Sequence, residues 1–177
     1  MYRERDELKR SQFLDKISTY NKEDLVYLDE SGIDSYIHSP YGWAKKGDLV
    51  HGEISGKRYA RESFIAAKCG SKIFAPLCYK GTCDTLLFNL WVEEFLVPEL
   101  KPGQVVILDN ATFHKSEKTR KLVEGAGCTL LFLPPYSPDL NPIEIFWANF
   151  KAKIRCVIRQ FTKLSEAIDF VFSEKVC

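Results

Sequence analysis

The sequence predicts an α/β domain in which helices connect parallel strands. Two short apolar runs, residues 25–28 and 104–108, each stop at an aspartate, which is the pattern of a buried strand with a carboxylate at its C-terminal end. A stretch with helical periodicity lies between them, and another separates the second run from a third apolar run at residues 129–133. Strand–helix–strand order of this kind favours parallel pairing with right-handed crossovers.

Composition and charge restrict the class of protein. The chain has 177 residues, of which 45% are hydrophobic and 28% charged, as is usual for one soluble globular domain. No apolar run reaches the roughly 18 residues of a membrane helix, and the charged N-terminus has no apolar signal core, so we expect a cytoplasmic protein. The six cysteines form no Cys-x-x-Cys pair and show no zinc-finger spacing, which predicts reduced thiols, mostly in the core.

The first half of the chain predicts a helix, a strand and a hairpin around an irregular segment. Residues 3–18 carry a loose apolar set without Gly or Pro and predict a lead-in helix. After the first strand, residues 31–32 (Ser-Gly) are a turn signal. Residues 38–58 are rich in Gly, Pro, Lys and His and predict a loop or an irregular hairpin. Two apolar stretches, residues 61–68 and 73–79, predict a regular hairpin.

The second half of the chain predicts helices between and after the remaining strands. These helices cover residues 82–97, 115–124, 141–158 and 164–171. Thr82 is the candidate N-cap of the first helix, and Pro98 marks its end. A proline-rich loop, PPYSPDLNP, precedes the helix that begins at residue 141.

The aspartates at the strand ends are the main candidates for chemistry. If their strands are neighbours, Asp29 and Asp109 face each other, and their negative charges favour a cation between them. Mg²⁺ prefers one or two carboxylates together with water and phosphate oxygens. Glu144 lies at the start of a helix that can aim its carboxylate at the same edge of the sheet. Two metal ions about 4 Å apart could then clamp the attacking and leaving oxygens of a phosphoryl displacement.

Each of these carboxylates also has a purely structural interpretation. An aspartate after a strand is often a turn former or a helix cap. With Asn141 as N-cap and Pro142 at the first helical position, Glu144 would complete a capping box that only satisfies the helix terminus. The residue pattern alone leaves both interpretations open.

Four blocks of the sequence form a recognisable set. They are LDESG (28–32), GWAKKG (42–47), VVILDNATFHKS (105–116) and LPPYSPDLNPIEIFWANFKAKIR (133–155). Together they resemble the catalytic domain of the mariner-like and bacterial insertion-sequence DDE transposases. The last block is long and specific, and the 34 residues between Asp109 and Glu144 (110–143) are a spacing that this superfamily uses.

The resemblance implies a fold, a site and a reaction. The fold is RNase H-like, with a mixed five-stranded sheet flanked by helices. Asp29, Asp109 and Glu144 are implied to be the catalytic triad and to hold two Mg²⁺ or Mn²⁺ ions. The implied reaction is hydrolysis at the ends of a mobile element, followed by attack of the freed 3′-hydroxyl on target DNA, commonly at a TA dinucleotide in this family. The implied partners are DNA and a second copy of the chain on that DNA.

Other residues of the blocks are candidates for smaller roles. Asn110 and His114 could position a water, a metal or a phosphate, although a structural role for His114 is an equal alternative. Tyr136 and Ser137 are interpreted as loop structure that positions Glu144. Several basic residues and one tryptophan are candidates for DNA contact, with solvated surface positions or packing on the sheet as the alternative. These candidates are Trp43, Lys45, Lys46, Lys115, Lys151, Lys153 and Arg155.

The resemblance also predicts the domain organisation. Relatives carry an N-terminal helix-turn-helix region, and residues 1–22 resemble the linker helix that follows it, with the catalytic domain at residues 23–177. Three interpretations stay open: a separately encoded catalytic half served by a separate helix-turn-helix polypeptide, a truncated copy, or an expressed fragment. Two other functions stay open: a different RNase H-like nuclease, and a non-catalytic DNA-binding remnant of a decayed element.

Overall fold

A five-stranded mixed sheet forms the centre of the domain. A computed structural model describes residues 6–34, 45–47 and 61–174. The strands are β1 (Leu25–Asp34), β2 (Arg61–Cys69), β3 (Lys72–Lys80), β4 (Val105–Leu108) and β5 (Thr129–Phe132). Their order is β3-β2-β1-β4-β5, with the β1–β2 and β2–β3 pairs antiparallel and the β1–β4 and β4–β5 pairs parallel. The predicted α/β class, the hairpin and the mixed five-stranded sheet are confirmed.

Helices cover both faces of this sheet. They are α1 (Glu7–Ser18), α2 (Thr85–Trp91), α3 (Glu117–Gly125), α4 (Ile143–Val157) and α5 (Leu164–Ser173). Neighbouring residues of a strand point to opposite faces. Ile65 of β2 accordingly packs in the core that includes Trp91 of α2, whereas Phe64 packs in the core that includes Trp147 of α4 and Ile168 of α5.

The first helix is part of the folded domain. Asp6 accepts a hydrogen bond from the backbone N–H of Lys9 (3.1 Å) and so caps α1, whose first residue is Glu7. Residues 3–5 of the predicted helix lie outside the described residues. Arg10, which is only 5% exposed, donates two hydrogen bonds to Asp139 (3.0 and 2.7 Å). This bidentate pair ties α1 to the proline-rich loop that leads into α4.

Strand β1 continues past the aspartate at which it was predicted to stop. Ser31 and Gly32 were predicted to form a turn, but they lie within β1 and pair with Phe64 and Ser63 of β2. The turn prediction is wrong because the antiparallel partner supplies backbone hydrogen bonds that a local signal does not reveal. The parallel pairing with β4 nevertheless ends at Tyr27, two residues before Asp29.

Three predicted helix boundaries are also wrong. Asp84, not Thr82, caps α2, since its carboxylate accepts from the Leu87 N–H at 2.8 Å. Pro98 does not end the helical segment, because a π-helical turn and a 3₁₀ turn carry it on to Glu99. The helix predicted from residue 115 starts at Glu117 after a separate 3₁₀ turn, Thr112–Lys115.

The thiols are free but mostly lie outside the core. Within the described ranges, the cysteines at 69, 78, 83, 128 and 156 are all unpaired, as predicted. Only Cys128 is buried, so the prediction of mostly core positions is wrong. No helix among the described residues is long and apolar enough to cross a membrane.

Candidate active site

The three predicted carboxylates line one pocket. This cavity of about 360 Å³ opens where the parallel pairing of β1 with β4 ends. Asp29 reaches it from β1, Asp109 from the residue after β4, and Glu144 from the first turn of α4. Carboxyl ends of parallel strands are where α/β sheets gather ligands. Asn110 and Tyr136 also line the cavity.

The clustering of negative charge makes Asp29 hard to ionise. Burial, followed by the charges of Glu144, Glu30 and Asp109, raises the pKa of Asp29 to about 8. A divalent cation would relieve this repulsion, and carboxylate oxygens are its preferred ligands. Within the described ranges, no three His, Cys, Asp or Glu side chains form a ready-made cage for one ion. Carboxylate and amide oxygens line the pocket, and both are ligand types of a hard divalent cation.

The structure excludes the capping-box interpretation of Glu144. The N-cap position of α4 is Pro142, and no side chain donates or accepts a capping hydrogen bond there. Asn141, the predicted N-cap, is 4% exposed and lines the carboxylate pocket. Its Oδ1 is buried without a hydrogen-bond partner among the described residues. An unpartnered buried oxygen is unfavourable unless a ligand or water completes it. The Asn-Pro sequence predicted a helix cap and gave no indication that Asn141 lines the pocket.

His114 bridges the two strands that carry the aspartates. It is fully buried, with Nδ1 2.6 Å from Asp109 Oδ1 and Nε2 2.8 Å from Glu30 Oε1. Both partners are carboxylates, so a doubly protonated, positively charged ring can donate to both of them at once. Burial opposes that charge, but the hydrogen bonds to Asp109 and Glu30 outweigh it and raise the pKa of His114 to about 9.

The bridge fixes the orientation of Asp109. Its Oδ1 accepts from both His114 and the Ala111 N–H (2.8 Å), so two hydrogen bonds hold one oxygen of the carboxylate. Burial alone would raise the pKa of Asp109, but these hydrogen bonds and the His114 charge hold it below its usual value. Sequence reasoning missed Glu30, whose only local signal is its position next to Asp29.

The remaining candidates are positioned as follows. Asn110 donates its amide to the backbone oxygen of Leu133 and so anchors the residue after Asp109 to the end of β5. Tyr136 has a left-handed backbone (φ 54°) and is 52% exposed at the pocket. Ser137 is buried and donates to the Pro135 oxygen at 3.1 Å, consistent with a structural role in the loop.

The predicted DNA-contacting residues fall into several environments. Lys151 donates to Ser31 Oγ at 3.0 Å, and Lys153 pairs with Glu174 at 2.8 Å. Lys115 and Arg155 are exposed. Lys45 and Lys46 are exposed in a turn, and Trp43 lies outside the described residues.

Replacing Asp29 with asparagine is expected to stabilise the metal-free protein at alkaline pH. The pKa of Asp29 in the folded state, about 8, lies above the ordinary value of 3.8. Between these pH values the folded state holds a proton on Asp29 that the unfolded state has lost. The stability of wild type therefore falls as pH rises through that window. Asparagine mimics the protonated form, so its advantage in unfolding free energy should grow from pH 5 to pH 8 and reach about 1–3 kcal/mol.

Urea unfolding in the presence of a chelator measures this difference. Asp34→Asn is the matched control, because Asp34 is exposed at the far end of the same strand. Parallel pH profiles for wild type and the Asp29 variant would contradict the repulsive cluster.

Comparison with known proteins gives one family and one fold. Residues 24–167 match the family model described as DDE superfamily endonuclease. A Sinorhizobium fredii protein, described as uncharacterized protein y4pE/y4sA, is 51% identical over 43 residues, which are 24% of this chain and 30% of that protein.

Solved structures of the Mos1 mariner transposase are among those that are similar to this chain. The Mos1 strand transfer complex is 17% identical, with a TM-score of 0.66 over 82% of this chain and 46% of that chain. The catalytic domain of Mos1 mariner transposase is 14% identical, with a TM-score of 0.64 over 96% of this chain and 78% of that chain. The likeness confirms the RNase H-like fold. This chain spans about half the length of the Mos1 chain in the complex and 30% of the Sinorhizobium protein.

Proposed function

Since the chain belongs to the DDE superfamily of endonucleases, we propose that it is the catalytic domain of a DNA transposase. The observation that carries the proposal is the meeting of Asp29, Asp109 and Glu144 in one pocket. These residues come from β1, the position after β4 and the first turn of α4, which are far apart in the sequence.

The pocket suits two divalent ions, Mg²⁺ or Mn²⁺. Asp29, Asp109 and Glu144 would hold them, and the unpartnered Oδ1 of Asn141 offers one more neutral oxygen. When bound, such ions polarise the phosphoryl group and favour deprotonation of the attacking hydroxyl or water. A solved structure of the mariner Mos1 paired end complex with Mg, 16% identical over 82% of this chain, supports a divalent ion at this fold.

The chain's own residues orient the reacting groups. His114 and the Ala111 N–H hold Oδ1 of Asp109 and so fix the orientation of a carboxylate that lines the pocket. Lys151 lies on the same helix as Glu144 and donates to Ser31 on the strand of Asp29, so its positive charge stands where these two elements meet. A cation in that position can contact the backbone phosphates of a bound strand.

The proposed reaction has two displacements at phosphorus. In the first, a water oxygen attacks a phosphate at the end of the element, and the 3′-oxygen leaves to become a free hydroxyl. In the second, that hydroxyl attacks a phosphate of target DNA, and a target 3′-oxygen leaves. We infer that the substrates are the DNA ends of the element and the target DNA. A solved Mos1 transposase paired-end complex with left transposon end supports DNA ends as substrates. We also infer a homodimer on DNA and a helix-turn-helix polypeptide that recognises the ends.

Strand cleavage and strand joining test the proposal together. Wild-type protein with Mn²⁺ or Mg²⁺ should nick supercoiled plasmid and insert an oligonucleotide with a free 3′-hydroxyl into it, and a chelator should stop both reactions. Asp29→Asn should do neither, although it is the more stable protein without metal. Cleavage confined to the RNA strand of an RNA–DNA hybrid would favour the RNase H-like nuclease instead. DNA binding by a metal-loaded protein without any cleavage would favour the non-catalytic remnant.

A further inference from the structure

A second, smaller cavity adjoins the carboxylate pocket. It has a volume of about 210 Å³, and Asn110 lines both cavities, so the two meet at the residue that follows Asp109. Its other lining residues come from the start of α3 and from β5. They are Lys115, Ser116, Arg120, Leu130 and Phe132.

The charge of this cavity is opposite to that of its neighbour. Lys115 and Arg120 supply two positive charges, and none of the described residues that line the cavity is acidic. Lys115 Nζ stands 5.8 Å from the ring centroid of Phe132, another residue that lines the cavity. Arg120 pairs with Glu124 at 3.4 Å on the exposed surface, a contact that contributes little and can be exchanged.

The helix that begins here adds to the positive potential. Ser116 is the N-cap of α3, and its hydroxyl accepts from the Thr119 N–H at 3.0 Å. The N-terminal end of a helix carries a partial positive charge that favours anions. Two side-chain cations, a helix N-terminus and a concave shape therefore converge beside the site of chemistry.

We propose that this cavity binds a backbone phosphate of the DNA strand being cut, next to the phosphate that lies on the carboxylates. The inference rests on the proposed function and adds a direction to it. The strand crosses from the carboxylate pocket over Asn110 towards β5, which is the edge of the sheet. A phosphate needs bridging cations among the carboxylates, whereas Lys115 and Arg120 bind one directly.

Charge-removing variants test the contact by DNA affinity. Arg120→Ala and Lys115→Ala should each weaken binding of a short duplex about tenfold at low salt and reduce the slope of log affinity against log salt by about 1. Lys118→Ala is the matched control. Lys118 is exposed on the same helix, lies two residues from Arg120 and therefore on the other side, and pairs with Glu93 at 2.6 Å. Lys118→Ala should leave DNA affinity within about twofold of wild type and the salt slope nearly unchanged, which is roughly the effect of a remote charge.

Neutral linkages identify the individual phosphate. Duplexes with one methylphosphonate, placed in turn at each position near the mapped cut, remove the charge of one phosphate at a time. At one position the neutral linkage should reduce cleavage by wild type about tenfold. It should reduce cleavage by Arg120→Ala less than about twofold, because that variant has already lost the partner of the same phosphate. The proposal is overturned if Lys118→Ala weakens binding as much as Arg120→Ala, or if every neutral linkage costs both proteins equally. If wild type cleaves DNA normally and the Arg120 and Lys115 variants bind DNA as wild type does, only the proposed role of this cavity is overturned. Absence of DNA binding and cleavage by wild type would overturn the proposed function as well.

Discussion

Glutamine in place of Glu144 is expected to abolish metal-dependent DNA cleavage and leave the fold intact. Glutamine keeps the shape of the side chain but removes the charge that would hold a divalent ion, so cleavage should fall at least about a thousandfold. The unfolding free energy should change by less than about 1 kcal/mol, because Glu144 is exposed and makes no capping bond. Plasmid nicking and urea unfolding of the same preparation measure the two quantities.

A second glutamate separates catalysis from helix capping. Glu166 lies in the first turn of α5, and its carboxylate accepts from the Lys163 N–H at 3.2 Å. It is therefore a glutamate that caps its helix, which Glu144 is not. Glu166→Gln should retain full cleavage with at most a small loss of stability. Equal cleavage by the Glu144 and Glu166 variants would remove Glu144 from the proposed site.

The sequence predicts where the two aspartates lie relative to the strands, because the signal for a buried strand is local. A short apolar run followed by Asp109 marks a buried strand and its carboxyl end, and β4 has that form. For Asp29 the same inference reached the correct place for an incomplete reason. β1 continues past it on the antiparallel side, and only its parallel pairing stops there. The partner strand β2 begins at Arg61, 27 positions after the end of β1 at Asp34, so no local pattern could reveal that pairing.

The supporting residues could not be predicted because their roles depend on long-range contacts. Glu30 and His114 are separated by 84 positions, and their hydrogen bond exists only when β1 and β4 are neighbours. Asn141 was assigned to a cap by a local rule, but the chain before α4 is held by the Arg10–Asp139 pair, 129 positions apart. Local propensity therefore located the residues of the site, and tertiary packing determined what each of them contacts.

Removal of the His114 side chain is expected to cause the second large effect. In His114→Ala, the Asp109 and Glu30 carboxylates lose their shared donor and a cavity opens between Phe88 and Phe113, whose rings lie 4.3 Å from the imidazole. Breaking such a buried charged bridge should lower the unfolding free energy by about 2–4 kcal/mol at pH 6. Asp109 is partly exposed, so water replaces part of the stabilisation that its carboxylate loses.

The pH dependence distinguishes the charged bridge from simple packing. The folded pKa of about 9 lies above the ordinary 6.5, so the stabilisation is fully present below pH 6.5 and is lost as pH rises through 9. The stability gap between wild type and His114→Ala, measured with chelator, should therefore narrow from pH 6 to pH 9.5, whereas a gap caused by packing alone would stay constant. Glu30→Gln keeps an acceptor for Nε2 but removes one charge. In that background, the stability lost on removing His114 should disappear at a lower pH than it does in wild type. Glu30→Gln itself should retain more cleavage than His114→Ala. A constant gap in both variants would mean that His114 is neutral and orients Asp109 through a single hydrogen bond.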